Sequence, residues 1–140
     1  LQIRNVQLQK ELEAFQKTRS LAVKAELKQK ISERNGINHL EAIVELDAGS
    51  IKDILFQLKG EVSNFFGVIG GKDGDKCSIS IIADDQLVKD KGIHAGNLVR
   101  EAAKHIQGGG GGQPFFATAG GKDQSGLQAA IEDVKAKTGI

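Results

Sequence analysis

Five consecutive glycines, Gly108 to Gly112, constrain the folding of this chain more than any other segment. Glycine is costly to order, losing roughly 0.5–1 kcal/mol relative to alanine in regular structure. A run of five therefore has two readings: a disordered linker, or a backbone that something must approach closely. The run does not separate two domains. It follows a segment with Leu98, Val99, Ala102 and Ile106 on one helical side, and it precedes an apolar stretch from Pro114 to Ala119. In that setting, glycines without Cβ atoms would expose successive N–H groups, a concavity suited to phosphate oxygens or nucleotide edges.

Residues 1–34 are the opposite in character, with no Pro or Gly and many good helix formers. Leu1, Leu8, Phe15 and Ala22 recur every seven residues, with Leu12 and Ala25 between them. Arg4, Glu11 and Thr18 interrupt that stripe, so it is not a clean coiled-coil seam. Val23, Leu27 and Ile31 form a second stripe of shifted phase. The pattern predicts a long amphipathic helix of roughly 50 Å, kinked near Thr18–Ser20 and stopped by Asn35-Gly36. Such a stripe needs a partner, which points to self-association. Residues 1–36 are read as a helical stalk and oligomerisation segment, and 37–140 as a glycine-rich α+β domain. The stalk carries eight basic and four acidic residues, a charge of +4, whereas the remainder carries −3. A nucleic-acid partner would have to be held by local geometry, not by the bulk charge of the body.

After Gly36 the rhythm shortens. Leu40, Ala42, Val44 and Leu46 alternate as a strand. Ser50 precedes a helical face of Ile51, Ile54, Leu55 and Leu58 that stops at Gly60. Phe65 to Ile69 reads as a second strand, Lys72–Asp75 as a tight turn, and residues 76–82 as a third strand carrying Cys77, Ile79 and Ile81 on one face. Asp84-Asp85 starts a helix that Gly92 interrupts, and a more regular one follows from His94 to Ile106. Pro114 to Ala119 is assigned as an edge strand because of its proline. Ser125 and Gln128 have capping-box spacing ahead of a last helix that Gly139 ends. The expected order is a long helix followed by β-α-β-β-α-β-α, with the glycines as a loop.

No catalytic constellation emerges. His39, His94 and His105 form no HExxH or Cys/His ligand pattern. Cys77, the single cysteine, excludes an internal disulfide and a multi-cysteine zinc site, and reads as a buried, inert thiol. That cysteine usage suits a reducing compartment, and the chain is taken as cytoplasmic. No window approaches the ~20 apolar residues of a membrane span. No basic-then-apolar leader opens the chain, and its start at Leu1 reads as the start of an excised fragment. The glycines lack the Gly-Lys-Ser/Thr of a Walker loop, and they follow a helix, whose C-terminus repels phosphate. Cations are needed to compensate. His94, Arg100, Lys104 and His105 precede the run, and Lys122 follows Gly120-Gly121. Phe65-Phe66 and Phe115-Phe116 each place one ring on either face of a strand, so that one ring of a pair could stack on a base.

The residues His94-Ala95-Gly96-Asn97-Leu98-Val99-Arg100-Glu101, then Gly108 to Pro114, then Ala117-Thr118-Ala119-Gly120-Gly121, resemble the C-terminal domain of alanyl-tRNA synthetases. The accessory domain of DHH-family phosphoesterases carries the same kind of glycine loop. The resemblance covers roughly residues 37–137, and the basic helix before them looks like the synthetases' helical connector. It implies a parent enzyme that attaches alanine to tRNA with ATP, Mg2+ and zinc, and that edits mischarged tRNA. Both active centres would lie outside this chain, which carries no cofactor of its own. It implies tRNA-Ala as the partner, with His94, Arg100, Lys104, Gly108, Gly109, Gly110, Gly111, Gly112, Gln113 and Lys122 as the RNA-binding residues. Gly110 stands where many relatives have Lys, Gln113 where many have Arg, and Phe115-Phe116 where many have Asp-Met. Contact here would rest more on backbone N–H groups and stacking. Two other readings are an accessory nucleotide-binding domain of a DHH-family phosphodiesterase and a purely structural coiled-coil assembly domain.

Overall fold

A computed structural model describes residues 22–34 and 36–138. Six strands form one mixed sheet: β1 (Ser32–Arg34), β2 (Ile37–Val44), β3 (Phe65–Asp73), β4 (Lys76–Ala83), β5 (Gly109–Gly112) and β6 (Phe116–Gly121). Their order across the sheet is β1-β2-β3-β4-β6-β5. Only β2 and β3 pair in parallel, and the helix α2 (Ala48–Glu61) makes the crossover that a parallel pair requires. Every other neighbouring pair is antiparallel.

Helices cover both faces. On one side α1 (residues 22–30) and α2 pack through Leu27, Ile51, Ile54, Leu55 and Leu58 against Leu40, Phe65, Ile69 and Ile82. On the other side lie α3 (Asp85–Lys91), α4 (Ala95–Ala102), a 3-10 turn (Ala103–Ile106) and α5 (Leu127–Thr138). They cover Phe66, Val68, Cys77, Ile79 and Ile81. The α+β class expected from the sequence is observed, as three layers around a mixed sheet.

The β3–β4 hairpin closes within the expected Lys72–Asp75 turn, with Gly74 and Asp75 as its two loop residues. Gly74 has φ of +61°, as a tight primed turn requires at its first central position. Helix α2 begins earlier than expected. Its cap is Asp47, whose carboxylate accepts from the Ser50 amide at 3.1 Å and the Ser50 hydroxyl at 2.7 Å. The last helix is likewise led in by Asp123, which accepts from the Ser125 amide at 3.1 Å ahead of a short 3-10 turn (Gln124–Gly126). The Ser125/Gln128 box is not the device used.

Other expectations are corrected. The N-terminal helix does not continue to Asn35-Gly36. It ends by residue 30, and β1 pairs antiparallel with β2, because strand pairing satisfies the backbone there. The second apolar stripe is what docks: Leu27 is buried, with Val23 and Ile31 partly buried beside it, and Lys24 reaches Glu61 at 2.9 Å. Ala22 and Ala25 of the first stripe face solvent. The rest of that stripe at Leu1, Leu8, Leu12 and Phe15, the kink at Thr18–Ser20 and the stop at Gly139 lie outside the described residues. Pro114 does not make an edge strand. It sits in the turn before β6, outside the hydrogen-bonded ladder, so β6 is free to run between β4 and β5.

No helix among the described residues is long and apolar enough to cross a membrane. The Asp47 cap makes a testable contribution. Hydrogen bonding by the Ser50 side chain is the largest cause holding its carboxyl below the usual range. A depressed pKa adds stability above the unfolded-state value of about 4, and that stability is lost as pH falls through the folded value. Asp47→Ala should cost about 1 kcal/mol in urea unfolding at neutral pH. The difference from wild type should shrink as the solution is acidified.

Candidate nucleic-acid interface

The glycine run is not a loop. Gly109–Gly112 is the terminal strand β5, paired with Gly120, Ala119, Thr118 and Ala117 of β6. Nor does it form a concavity of alternating backbone hands. The described glycines with positive φ are Gly36, Gly74 and Gly92, so no residue of the run adopts that conformation. Glycine is required for a different reason, visible in its period of two. A methyl on Gly110 would lie 2.5 Å from Ala119 Cα, and one on Gly112 would lie 2.7 Å from the Phe116 carbonyl oxygen. At Gly108 it would overlap the Gly120 carbonyl. At Gly109 it would meet nothing within 4 Å. The strand is turned so that alternate positions face the β6 backbone and the others face out.

One outward position, Gly111, meets a cation. A methyl on Gly111 would sit 3.3 Å from Arg100 Nε, so the guanidinium lies along the bare strand. The strand runs back beside α4. The Gly108 amide donates to the Ala103 carbonyl at 3.0 Å. At the other end the Gly112 carbonyl lies close enough to exclude any side chain at Gly96, where a methyl would be 2.7 Å away. The Ala95 amide donates to the Pro114 carbonyl at 2.9 Å. The run therefore follows a helix in sequence, yet its Gly112 end reaches the positive N-terminal turn of α4. Only the Gly108 end stays near the helix C-terminus.

The expected site residues separate into groups. Arg100, Lys104 and Lys122 are exposed. None of the three has a carboxylate within 4.0 Å among the described residues. Lys104 is one turn beyond Arg100, and Lys122 follows Gly121, its amide donating to the Ile106 carbonyl at 2.9 Å. Gln113 closes the β5–β6 turn, donating its amide to the Phe116 carbonyl at 2.8 Å, with its side chain exposed. His94 caps α4, its Nδ1 accepting from the Asn97 amide at 3.1 Å, and so one ring nitrogen is already engaged. His105 turns towards α5, 3.9 Å from Asp133, and is not beside the strand.

Phe65 and Phe66 are both buried, one on each face, because helices cover the sheet there. Sequence reasoning missed Phe56, Lys52 and Lys59, which share one side of α2 with Phe115 and Phe116. The i, i+4, i+7 spacing of Lys52, Phe56 and Lys59 was the available signal. Cys77 is buried on the sheet face with Ile79 and Ile81. Burial, helped by the charge of Asp123, pushes its thiol up, against thiolate chemistry. Among the described residues no three His, Cys, Asp or Glu side chains converge as a metal site.

The chain matches the DHHA1 domain family over residues 36–139. It is 43% identical over 137 residues to the alanine–tRNA ligase of Parabacteroides distasonis, covering 97% of this chain and 16% of that protein. It is 47% identical over 137 residues to the alanine–tRNA ligase of Bacteroides fragilis, again covering 97% and 16%. The chain thus spans about one sixth of the length of these relatives. Its fold is like that of the C-Ala domain from Aquifex aeolicus alanyl-tRNA synthetase, with a TM-score of 0.66 at 21% identity, covering 76% of this chain and 96% of that one. A solved DHH domain, described as a member of a family of ribosomal proteins, aligns with a TM-score of 0.54 at 15% identity, covering 86% and 30%.

The strand geometry separates glycines that are sterically required from those that are not. Gly110→Val should destabilise the fold by about 1–3 kcal/mol, since β-branched volume would meet backbone. Gly109→Ala should stay within about 0.5 kcal/mol of wild type. Equal urea midpoints for the two variants would contradict this account of the run.

Proposed function

The chain belongs to the DHHA1 domain family, and from that premise we propose that it is the C-terminal tRNA-binding module of an alanine–tRNA ligase. The observation that carries this reading is the Arg100 guanidinium lying along a terminal strand bare of side chains, with exposed Lys104 and Lys122 following in sequence and none of the three paired to a carboxylate among the described residues. A bare strand lets a sugar–phosphate backbone approach the peptide groups, and these cations supply the charge that phosphate contact requires. Gln113 at the turn offers an amide for a base or ribose edge, and the capping role of His94 holds α4, and with it Arg100, in position.

Attachment of alanine and editing, with ATP, Mg2+ and zinc, would be the work of other parts of the parent enzyme. In this proposal the present chain contributes binding and placement of tRNA-Ala in the cytoplasm. The segment that precedes α1 contributes the stalk, and its first apolar stripe of Leu1, Leu8 and Phe15 is the self-association surface. Leu8→Asp with Phe15→Asp should convert the associated form to monomer. Light scattering that already finds the wild type monomeric would refute that part.

Gel-shift titrations with tRNA-Ala, other tRNAs and cyclic dinucleotides test the main reading. Arg100→Ala should weaken binding to all tRNAs similarly and lower the salt slope by about one. Tight binding of a cyclic dinucleotide without tRNA binding would favour the accessory domain of a DHH-type phosphodiesterase instead.

A further inference from the structure

Helix α2 shows one large ring to solvent. Phe56 is 37% exposed, and among the described residues only Ile43 is a comparably exposed large hydrophobic. Phe56 does not stand alone. Its ring centroid lies 5.0 Å from that of Phe116, tilted by 43°, and 6.5 Å from that of Phe115, edge to face. Two ammonium groups border the rings. Lys52 Nζ is 6.0 Å from the centroids of both Phe56 and Phe116, and Lys59 Nζ is 4.7 Å from that of Phe115. Lys59 is also 3.5 Å from Asp85, whereas Lys52 has no carboxylate within 4.0 Å among the described residues.

From this cluster we infer that the exposed Phe56 ring, backed by half-buried Phe115 and buried Phe116 and bordered by Lys52 and Lys59, forms a stacking platform for an unpaired nucleotide of bound RNA. The inference rests on the RNA-binding reading above and adds a second contact to it. An aliphatic protein surface docking here would strip water from Lys52 without returning an opposite charge, which is unfavourable. A nucleotide supplies both complements: a flat base for the exposed ring and a phosphate for the ammonium. The platform is also continuous with the glycine strand. The turn that leaves Gly112 passes through Gln113 and Pro114 directly into Phe115, so RNA lying along β5 reaches the rings at the tip of the hairpin.

The test measures binding of the full chain to a labelled tRNA-Ala transcript and to a fully paired RNA duplex across a salt series. Phe56→Ala should weaken tRNA binding about five- to a hundredfold, the range for loss of one stacked base. The salt slope and duplex binding should not change. Phe56→Trp should restore binding, Lys52→Ala should lower the slope, and Ile43→Ala should behave as wild type. Melting curves verify that each variant is folded. If Phe56→Ala binds tRNA as wild type while Arg100→Ala is weakened, the platform is refuted and the glycine-strand reading survives. If Phe56→Ala weakens duplex and tRNA alike, stacking is refuted. If the wild type binds no tRNA, both proposals fall together.

Discussion

The arrangement depends on how closely one strand can lie against another. β5 approaches β6 so tightly that Gly108, Gly110 and Gly112 leave no room for a first side-chain carbon. The same closeness recurs wherever this corner meets its neighbours. Gly121 packs on Ile106, Gly126 lies on the His105 carbonyl, and Gly96 lies on the Gly112 carbonyl. The α4 unit is thereby gripped along its length by the β5–β6 hairpin on one side and by the lead-in to α5 on the other. Ordering so many glycines costs roughly 0.5–1 kcal/mol each relative to alanine. Backbone hydrogen bonding of the strand and burial of Val99, Ala102, Ala103 and Ile106 beneath it offset that cost. A consequence is positional: Arg100 cannot avoid lying along bare backbone.

The elements built on side-chain periodicity were legible in advance. The face of Ile51, Ile54, Leu55 and Leu58, the alternation of Cys77, Ile79 and Ile81, and the turn at Gly74 each carry their own pattern, and each stands where that pattern put it. The glycine strand was not legible, because a strand is recognised by alternating side chains and five glycines have none to alternate. Its neighbour was misplaced for a related reason: Pro114 looked like an edge signal, although a proline one position outside the ladder removes no hydrogen bond. β1 was hidden inside a run of helix formers, where pairing with β2 overrides intrinsic propensity over three residues. In the candidate site, charge and order along the chain singled out Arg100, Lys104 and Lys122 as candidates, and the structure leaves all three exposed. The His94 cap on α4 is a local device, set by Asn97 three residues on, whereas the pairing of His105 with Asp133 of α5 is a tertiary fact. The Phe56 cluster was missed because its rings come from α2 and from the β5–β6 hairpin, far apart in sequence.

Local pairing also reconciles a mildly acidic body with the anionic partner proposed above. Glu101 and Asp133 share Lys137, and Glu41 is met by Lys135 at 3.1 Å. Glu61 takes Lys24 and Lys28 from the N-terminal segment, and the hydrogen bond from Lys24 holds its carboxyl low. Asp85 takes Lys59. These five carboxylates are thus compensated within the chain, while Arg100, Lys104 and Lys122 are left without carboxylate partners among the described residues. At physiological salt, charges further apart than about 8 Å are largely screened. Under the proposed function, an RNA backbone at the strand edge would respond to those few cations and scarcely to the −3 of the body. Under that proposal the affinity would be decided by how near the phosphates can come, and the absence of side chains along β5 would set that distance.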